Sequence, residues 1–464
     1  MPRIHPKADV MQALVEGLPE DQRKLLRHAL GCGECQDLLA ELLAAGSAGS
    51  NTGSAQFPST ADRPPLGRVL PWREHDYGRT IDGVLRRFQP RLSAAEREQA
   101  EAPAFLKELL RHPPERRLVL VRNSERFQSL ALADLLLQAS REEGYGDPRA
   151  GEQLASLALS LTETLDPQFF GARVLEDARA RAWLAIANAR RIASDLRGAD
   201  EAVLAAEGRL REGTHDRLER ARLLYYKASL RRAQRRFPES AALYERAIAI
   251  YLDNDEEHLA GEAMVARALA CKEAGEPERA IGLLQEAGRL IDPADQRLRF
   301  WTCHNLIHVL AEAGRYLEAQ ALLARSAPLY RRFADAPTRL RLLWVRGRIA
   351  RGVGRLEEAA GLFRQVRAGF IEQGIGYDAA LVSLDLAGIC AQLGETAEMK
   401  RLAEEMLPIF QSRDVHREAL AALIVFQQAA AAETATLGLV EEVAARLRRA
   451  SGDAATPFES EAGG

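Results

Sequence analysis

The chain has 464 residues, of which 47% are hydrophobic, 28% charged and 6% aromatic. Its 63 Lys and Arg against 66 Asp and Glu leave a formal charge of −3, which excludes a globally basic nucleic-acid binder. Five cysteines exclude a disulfide scaffold, and without an apolar run of about 18 residues or a signal-peptide core in Met1–Val10, a cytoplasmic protein that does not enter a membrane is expected.

Residues 1–45 read as a short helical domain. Its segment LPEDQRKLLRHALGCGECQDLLAELL holds His28, Cys32 and Cys35 as His-x3-Cys-x2-Cys. Positions i and i+4 share a helix face, so His28 and Cys32 point the same way. Gly31 and Gly33 loosen the backbone enough for Cys35 to turn inward. Thiolates with imidazole suit Zn²⁺, which takes four tetrahedral N/S ligands in a closed structural site. A two-helix hairpin would return His5 as the fourth ligand. The alternative is a metal-free helical hairpin in which the same residues pack. A catalytic zinc is not expected, because four protein ligands leave no open position. Thiolate ligands are oxidisable, so Cys32 and Cys35 are also candidates for a redox switch.

Residues 46–75 begin with GSAGSNTGSAQFPSTADRPPL, a Gly/Ser/Thr/Pro-rich run without apolar periodicity, and read as a flexible linker. Residues 76–126 read as a helical connector and 451–464 as a disordered acidic tail. The span 127–450 is one helical pattern after another, rich in Ala, Leu, Arg and Glu. Six turn signals punctuate it: RGADEA at 197, RRFPES at 235, GEPERA at 275, GRYLEA at 314, GRLEEA at 354 and GETAEM at 394. Spacings of 38, 40, 39, 40 and 40 residues between those starts predict a solenoid of helix pairs with a period of about 40. Residues 127–180 would hold one or two degenerate units and 415–450 a capping pair.

Each signal has a local logic. A Gly or Arg ends the first helix, and Gly suits the left-handed position past a helix end. An acidic residue then enters the first turn of the next helix, where its charge favours the positive end of the dipole. A small residue (Ala202, Ser240, Ala280, Ala319, Ala359) lets the two helices approach. Four residues later Tyr244, Leu284, Leu323 or Phe363 wedges between pairs, and Ala247, Ala287, Ser326 or Val366 follows three further on.

These residues resemble the tetratricopeptide repeat, whose Gly-x4-Ala-x3-aromatic-x2-Ala run is matched by Gly314, Ala319, Leu323 and Ser326, and in part by Arg235, Ser240, Tyr244 and Ala247. The resemblance implies an all-α, right-handed α-solenoid whose first helices line a concave groove. By that alignment Arg232, Lys272, Arg348 and Arg351 face the groove, with Trp301 and Trp344 nearby, as do His304 and His308 of WTCHNLIHVL. A basic groove with aromatics can grip an acidic peptide or a terminal carboxylate. The plainer reading is that His304 and His308 are partly buried or groove-lining residues. Without Glu after His304 the metalloprotease motif is absent. Cys271 and Cys390 are expected in the core.

His5, His28, Cys32 and Cys35 resemble the zinc-binding anti-sigma family of bacteria, residue for residue. That likeness implies a short helical module that holds a sigma factor and releases it on oxidation or metal loss. Together the two resemblances imply a non-enzymatic adaptor or regulator. It would take a protein or peptide in the groove and a second partner, a sigma factor, on the zinc module. The alternatives are a structural scaffold and a sensor that closes on a small peptide. No phosphate loop or nucleophile elbow points to an enzyme.

Overall fold

The structure is a computed structural model that describes residues 97–450 apart from 145, 334, 412–416 and 432–433. His5, His28, Cys32 and Cys35 lie outside the described residues, as do the linker over 46–75 and the tail over 451–464. The described elements are helices. A helix α1 covers residues 97–110, followed by α2 (Pro114–Asn123), a 3-10 turn (Glu125–Phe127), α3 (Leu130–Gly144) and α4 (Pro148–Thr164). After a single turn, Pro167–Phe170, come α5 (Ala172–Ile192), α6 (Leu196–Glu212), α7 (Arg217–Ala233), α8 (Phe237–Asp253), α9 (Glu257–Glu273) and α10 (Pro277–Leu290). The rest are α11 (Gln296–Glu312), α12 (Tyr316–Phe333), α13 (Ala336–Gly352), α14 (Leu356–Glu372), α15 (Gly376–Leu393), α16 (Thr396–Gln411), α17 (Arg417–Ala431) and α18 (Leu437–Ala450). This is an all-α array of tetratricopeptide-like pairs, with odd-numbered first helices and even-numbered second helices from α3 onward.

One device ends the first helices. Ser194, Arg235, Gly275, Gly314, Gly354 and Gly394 all have positive φ, between 59° and 82°. After α9, Glu276 N–H bonds Cys271 O at 2.8 Å and Gly275 N–H bonds Lys272 O at 3.0 Å. The same 6→1 bond recurs as Arg236 to Arg231, Arg315 to Leu310, Arg355 to Ala350 and Glu395 to Cys390. These pairs of bonds form the Schellman motif, which satisfies carbonyls that a helix end leaves open. The first turn signal is displaced from its expected register. Ser194, not Arg197, takes the left-handed position, and Arg197 and Gly198 already lie in α6. Asp195 accepts Gly198 N–H at 2.9 Å and so starts α6 early. Ala199, Val203 and Ala206, all buried, then stand where Ala319, Leu323 and Ser326 stand in α12.

The described helices group into two compact units. The first comprises, within the described residues, 97–137, 156–182 and 206–219. There Phe105 meets Phe127 edge-on at 6.2 Å. Thr214 donates its hydroxyl to Asp177 at 2.5 Å. Arg181 lies between Asp134 and Glu219, at 3.3 and 2.9 Å.

The second unit comprises 138–155, 183–205 and the chain from 220 onward. From α9 to α16 every helix packs on its neighbours in sequence, and α9, α11, α13 and α15 also touch one another in succession. First helices sandwiched in this way carry apolar residues on most sides. On α9 this buries Ala260, Ala263, Val265, Ala268 and Leu269, and on α15 Val382, Leu384, Leu386 and Ile389. Two glycines set the close approach at α13. A Cβ on Gly347 would overlap the ring of Phe363 on α14, and one on Gly352 would overlap the ring of Tyr316 on α12. The buried cluster of the last helices, from Ala350 through Phe363, Phe370 and Phe426 to Ala444, is closed by α18, which packs on both α15 and α17. No helix among the described residues is long and apolar enough to cross a membrane.

Candidate functional site

The first helices present one polar stripe each. On α11, Asp295 caps the helix by accepting Leu298 N–H at 2.8 Å, which fixes its register. Trp301, His304, Asn305, His308 and Glu312 then follow at helical spacing along one side. On α13, Asp335 caps through Thr338 N–H at 2.7 Å and sets Arg341, Trp344, Arg348 and Arg351 in the corresponding stripe. Arg232 near the end of α7 and Lys272 near the end of α9 continue the series.

The cations expected to make a basic groove are neutralised across successive first helices. Arg232 is buried and pairs with Glu273 on α9 at 3.6 Å. Lys272 and Arg348 share Glu312 on α11, at 3.5 and 3.4 Å. Arg351 lies over Gly388 of α15 and reaches Glu441 of α18 at 2.6 Å. Arg341 pairs with Asp378 at 3.1 Å, and Trp344 donates its indole N–H to Asp385 at 2.6 Å. The face is therefore charge-balanced rather than basic. Each carboxylate sits on an adjacent first helix or on the closing helix, so these ties also stitch neighbouring pairs together.

Neutral polar groups lie beneath this ladder. His304 is 7% exposed and its Nδ1 is 3.0 Å from the Tyr330 hydroxyl on α12. Burial, with Arg341 and Lys272 nearby, pushes its pKa down to about 3. The ring of His308 lies tilted beside it, 4.5 Å between centroids, and is likewise held well below the usual imidazole value by burial, by His304 and by the surrounding cations. Both rings are therefore neutral near pH 7. The cations around them oppose a bound metal cation, and among the described residues no three His, Cys, Asp or Glu side chains are arranged to hold one. Trp301 packs its ring against His304 and Phe300. Cys271 and Cys390 are buried, in line with a packing role, and Cys303 is half-buried.

Thus the structure brings Lys272, Trp301, His304, His308, Trp344 and Arg348 to neighbouring stripes on α9, α11 and α13. Arg232 and Arg351 stand at the same level on α7 and on the closing end of α13. The sequence reading omitted Asn305, Glu312, Arg341 and the carboxylates opposite the cations. Their signal was available, because Glu273 and Glu312 follow Arg232 and Lys272 by 41 and 40 residues.

Residues 298–372 match the tetratricopeptide repeat. The match covers α11–α14, the two pairs that carry His304, His308, Trp344 and Arg348. No curated protein matches the chain by sequence. Among solved structures, a Rap protein complexed with competence and sporulation factor is 14% identical. It aligns over 68% of this chain and 87% of its own, with a TM-score of 0.49. The apo form of RapI is 11% identical over 60% of this chain and 97% of its own, with a TM-score of 0.46. Aspartyl phosphate phosphatase F from Bacillus subtilis is 11% identical over 89% and 96%, with a TM-score of 0.46.

Proposed function

We propose that the chain is a non-catalytic adaptor that binds a protein segment or peptide on the first-helix face of α9, α11 and α13. The observation that carries this reading is the polar and aromatic stripe Trp301, His304, Asn305 and His308 on helix α11, which lies beneath the paired charges of Lys272, Glu312 and Arg348 rather than in apolar contacts alone. A helix that only served the core would have apolar residues there. The paired charges make the ligand one that exchanges with internal ion pairs, which gives selectivity more than raw affinity.

In the same proposal residues 1–45 form a second module, with Zn²⁺ held by His5, His28, Cys32 and Cys35, that binds another protein, a bacterial sigma factor. The Cys and His donor set suits a structural zinc. A second reading, a rigid scaffold, draws support from the ladder of inter-helix ion pairs.

Peptides selected on the full chain from a random library test the groove. They should lose binding to a Lys272→Glu/Arg348→Glu double variant whose circular dichroism is unchanged. Equal binding to both proteins rejects the groove, and no saturable selection favours the scaffold. Metal analysis tests the module. Zinc should be near one equivalent in the wild type and fall in Cys32→Ser, and equally negligible zinc in both rejects the four-ligand set. Recovery of a sigma factor with the intact chain, lost in Cys32→Ser, supports the second partner.

A further inference from the structure

The polar stripe of the first helices stops at α15. A step of 40 residues carries Trp301, His304 and His308 of α11 onto Arg341, Trp344 and Arg348 of α13. A second step of 40 lands on Leu381, Leu384 and Gly388 of α15, with Ala391 in the place of Arg351. Arg341, Trp344 and Arg348 are half-buried, whereas Leu381 and Leu384 are buried. An apolar row on the groove side of a first helix needs a cover, and α18 supplies it.

Among the described residues the succession of packed first helices runs no further than α15, and α18 packs there and on α17. Arg351 fixes its side. The guanidinium passes from α13 over Gly388, where a Cβ would stand 3.4 Å from Nη1, and its Nη2 meets Glu441 at 2.6 Å. Glu441 therefore stands on the groove side of α15. Helix α18 is amphipathic. Val440, Val443 and Ala444 are buried, and Leu439 partly buried, in the cluster that holds Leu381 and Leu384. Glu441, Glu442 and Ala445 are exposed. Thr436 starts the helix by offering its Oγ1 to Leu439 N–H at 3.3 Å.

An amphipathic helix laid on an apolar row is the way a groove takes a partner helix. The seat is lightly held. Glu441 is mostly exposed, so its pair with Arg351 directs α18 more than it anchors it. The buried side chains of α18 are small, and a helix with leucine or phenylalanine in their place would bury more apolar area. We infer that the α15 end of the groove is a docking surface for an amphipathic helix of a partner protein, which lays an aliphatic row on Leu381 and Leu384 and a carboxylate against Arg351, and that α18 is the built-in occupant it displaces. The surface lies beyond the polar stripe of α9, α11 and α13 and does not depend on what binds there.

Hydrogen exchange on the full chain tests the displacement. Amides of α18 should exchange at least about 10-fold faster than those of α15, because α18 opens alone. Equal protection of the two helices overturns a displaceable α18. A fluorescein-labelled peptide of residues 434–450 probes the surface by anisotropy. Tethering gives α18 the higher effective concentration, so the peptide should bind about 10-fold or more tightly to a full-length Val440→Asp chain, whose α18 is unseated, than to the wild type. Equal binding, or none, by a variant of unchanged helicity overturns the docking surface. Glu441→Arg in the full chain is the milder variant, since it sets two cations together and leaves the apolar row intact. That chain should prefer the wild-type peptide several-fold over a Glu441→Arg peptide, and no preference overturns the pairing with Arg351. Light scattering on the wild type should give a mass independent of concentration. A dimer that the free peptide dissociates would make α18 of a second copy the occupant and overturn the partner reading.

Discussion

The α13–α14 pair and the α12–α13 junction use the same helix and opposite packing. On one side Gly347 clears space for Phe363, and a fully buried aromatic fills it. On the other side Leu322, Leu323 and Leu342 are half-buried, and Pro328 within the partner helix offers no N–H to the carbonyl one turn back. One repeat grammar thus yields both a welded contact and a loose one. The difference lies in which large side chain meets which small one, not in the turns, which obey the same rule at Gly314 and Gly354. Stability is therefore expected to be uneven along the array, as in other quasi-one-dimensional repeats.

The largest effect should come from the welded side. Phe363→Ala leaves a cavity in the last buried cluster and should cost about 3–5 kcal/mol by denaturant unfolding. A cost below about 2 kcal/mol would mean that α14 readjusts, and the contrast between the two sides would shrink. Acid comes next and acts beside the loose side. His304 has a folded pKa pushed down to about 3, below its unfolded value. The unfolded chain therefore binds the proton first, so stability is complete above about pH 6.5 and falls as pH drops towards 3, by up to about 1.4 kcal/mol per unit. His304→Gln should flatten that slope. An unchanged slope would mean that the imidazole is solvated before unfolding. Gly347→Ala, which drives a methyl into the Phe363 ring, should cost about 1–3 kcal/mol.

Most of the fold was legible because helix-pair spacing is written in local residues. Gly275, Gly314, Gly354 and Gly394 announce a left-handed position that few other residues accept. The register failed at Ser194 for the same reason, since a serine there gives no such signal and Asp195 supplies the cap instead. The site was less legible. Lys272 and Arg348 looked like free cations until Glu312 was seen between them, and that carboxylate is 40 residues from one and 36 from the other. Charge balance on a repeat face is a property of neighbouring helices, so a single stripe misreports it. Asn305 was missed because an amide on a helix face has no motif of its own.

The smaller effects bear on the junction directly. Glu312→Gln removes the carboxylate shared by Lys272 and Arg348. All three side chains are partly exposed, so the cost should be about 1 kcal/mol or less. It should nevertheless speed exchange in α13, because the ion pair ties α13 to α11. If stability drops while α13 exchange stays constant, the pair serves α9–α11 alone.

Leu342→Ala should have the smaller effect of the two apolar truncations, about 1–2 kcal/mol, because a half-buried leucine gives up only part of its transfer free energy. Its value lies in the contrast with Phe363→Ala on the adjoining pair. The two sites lie in separately packed surroundings, so their costs should add within about 0.5 kcal/mol in the double variant. A cost for Leu342→Ala as large as that of a core leucine, about 2–5 kcal/mol, would show that α12 and α13 pack tightly in solution. A smaller, additive cost would show that the α12–α13 contact and the cluster that begins at Ala350 are stabilised independently.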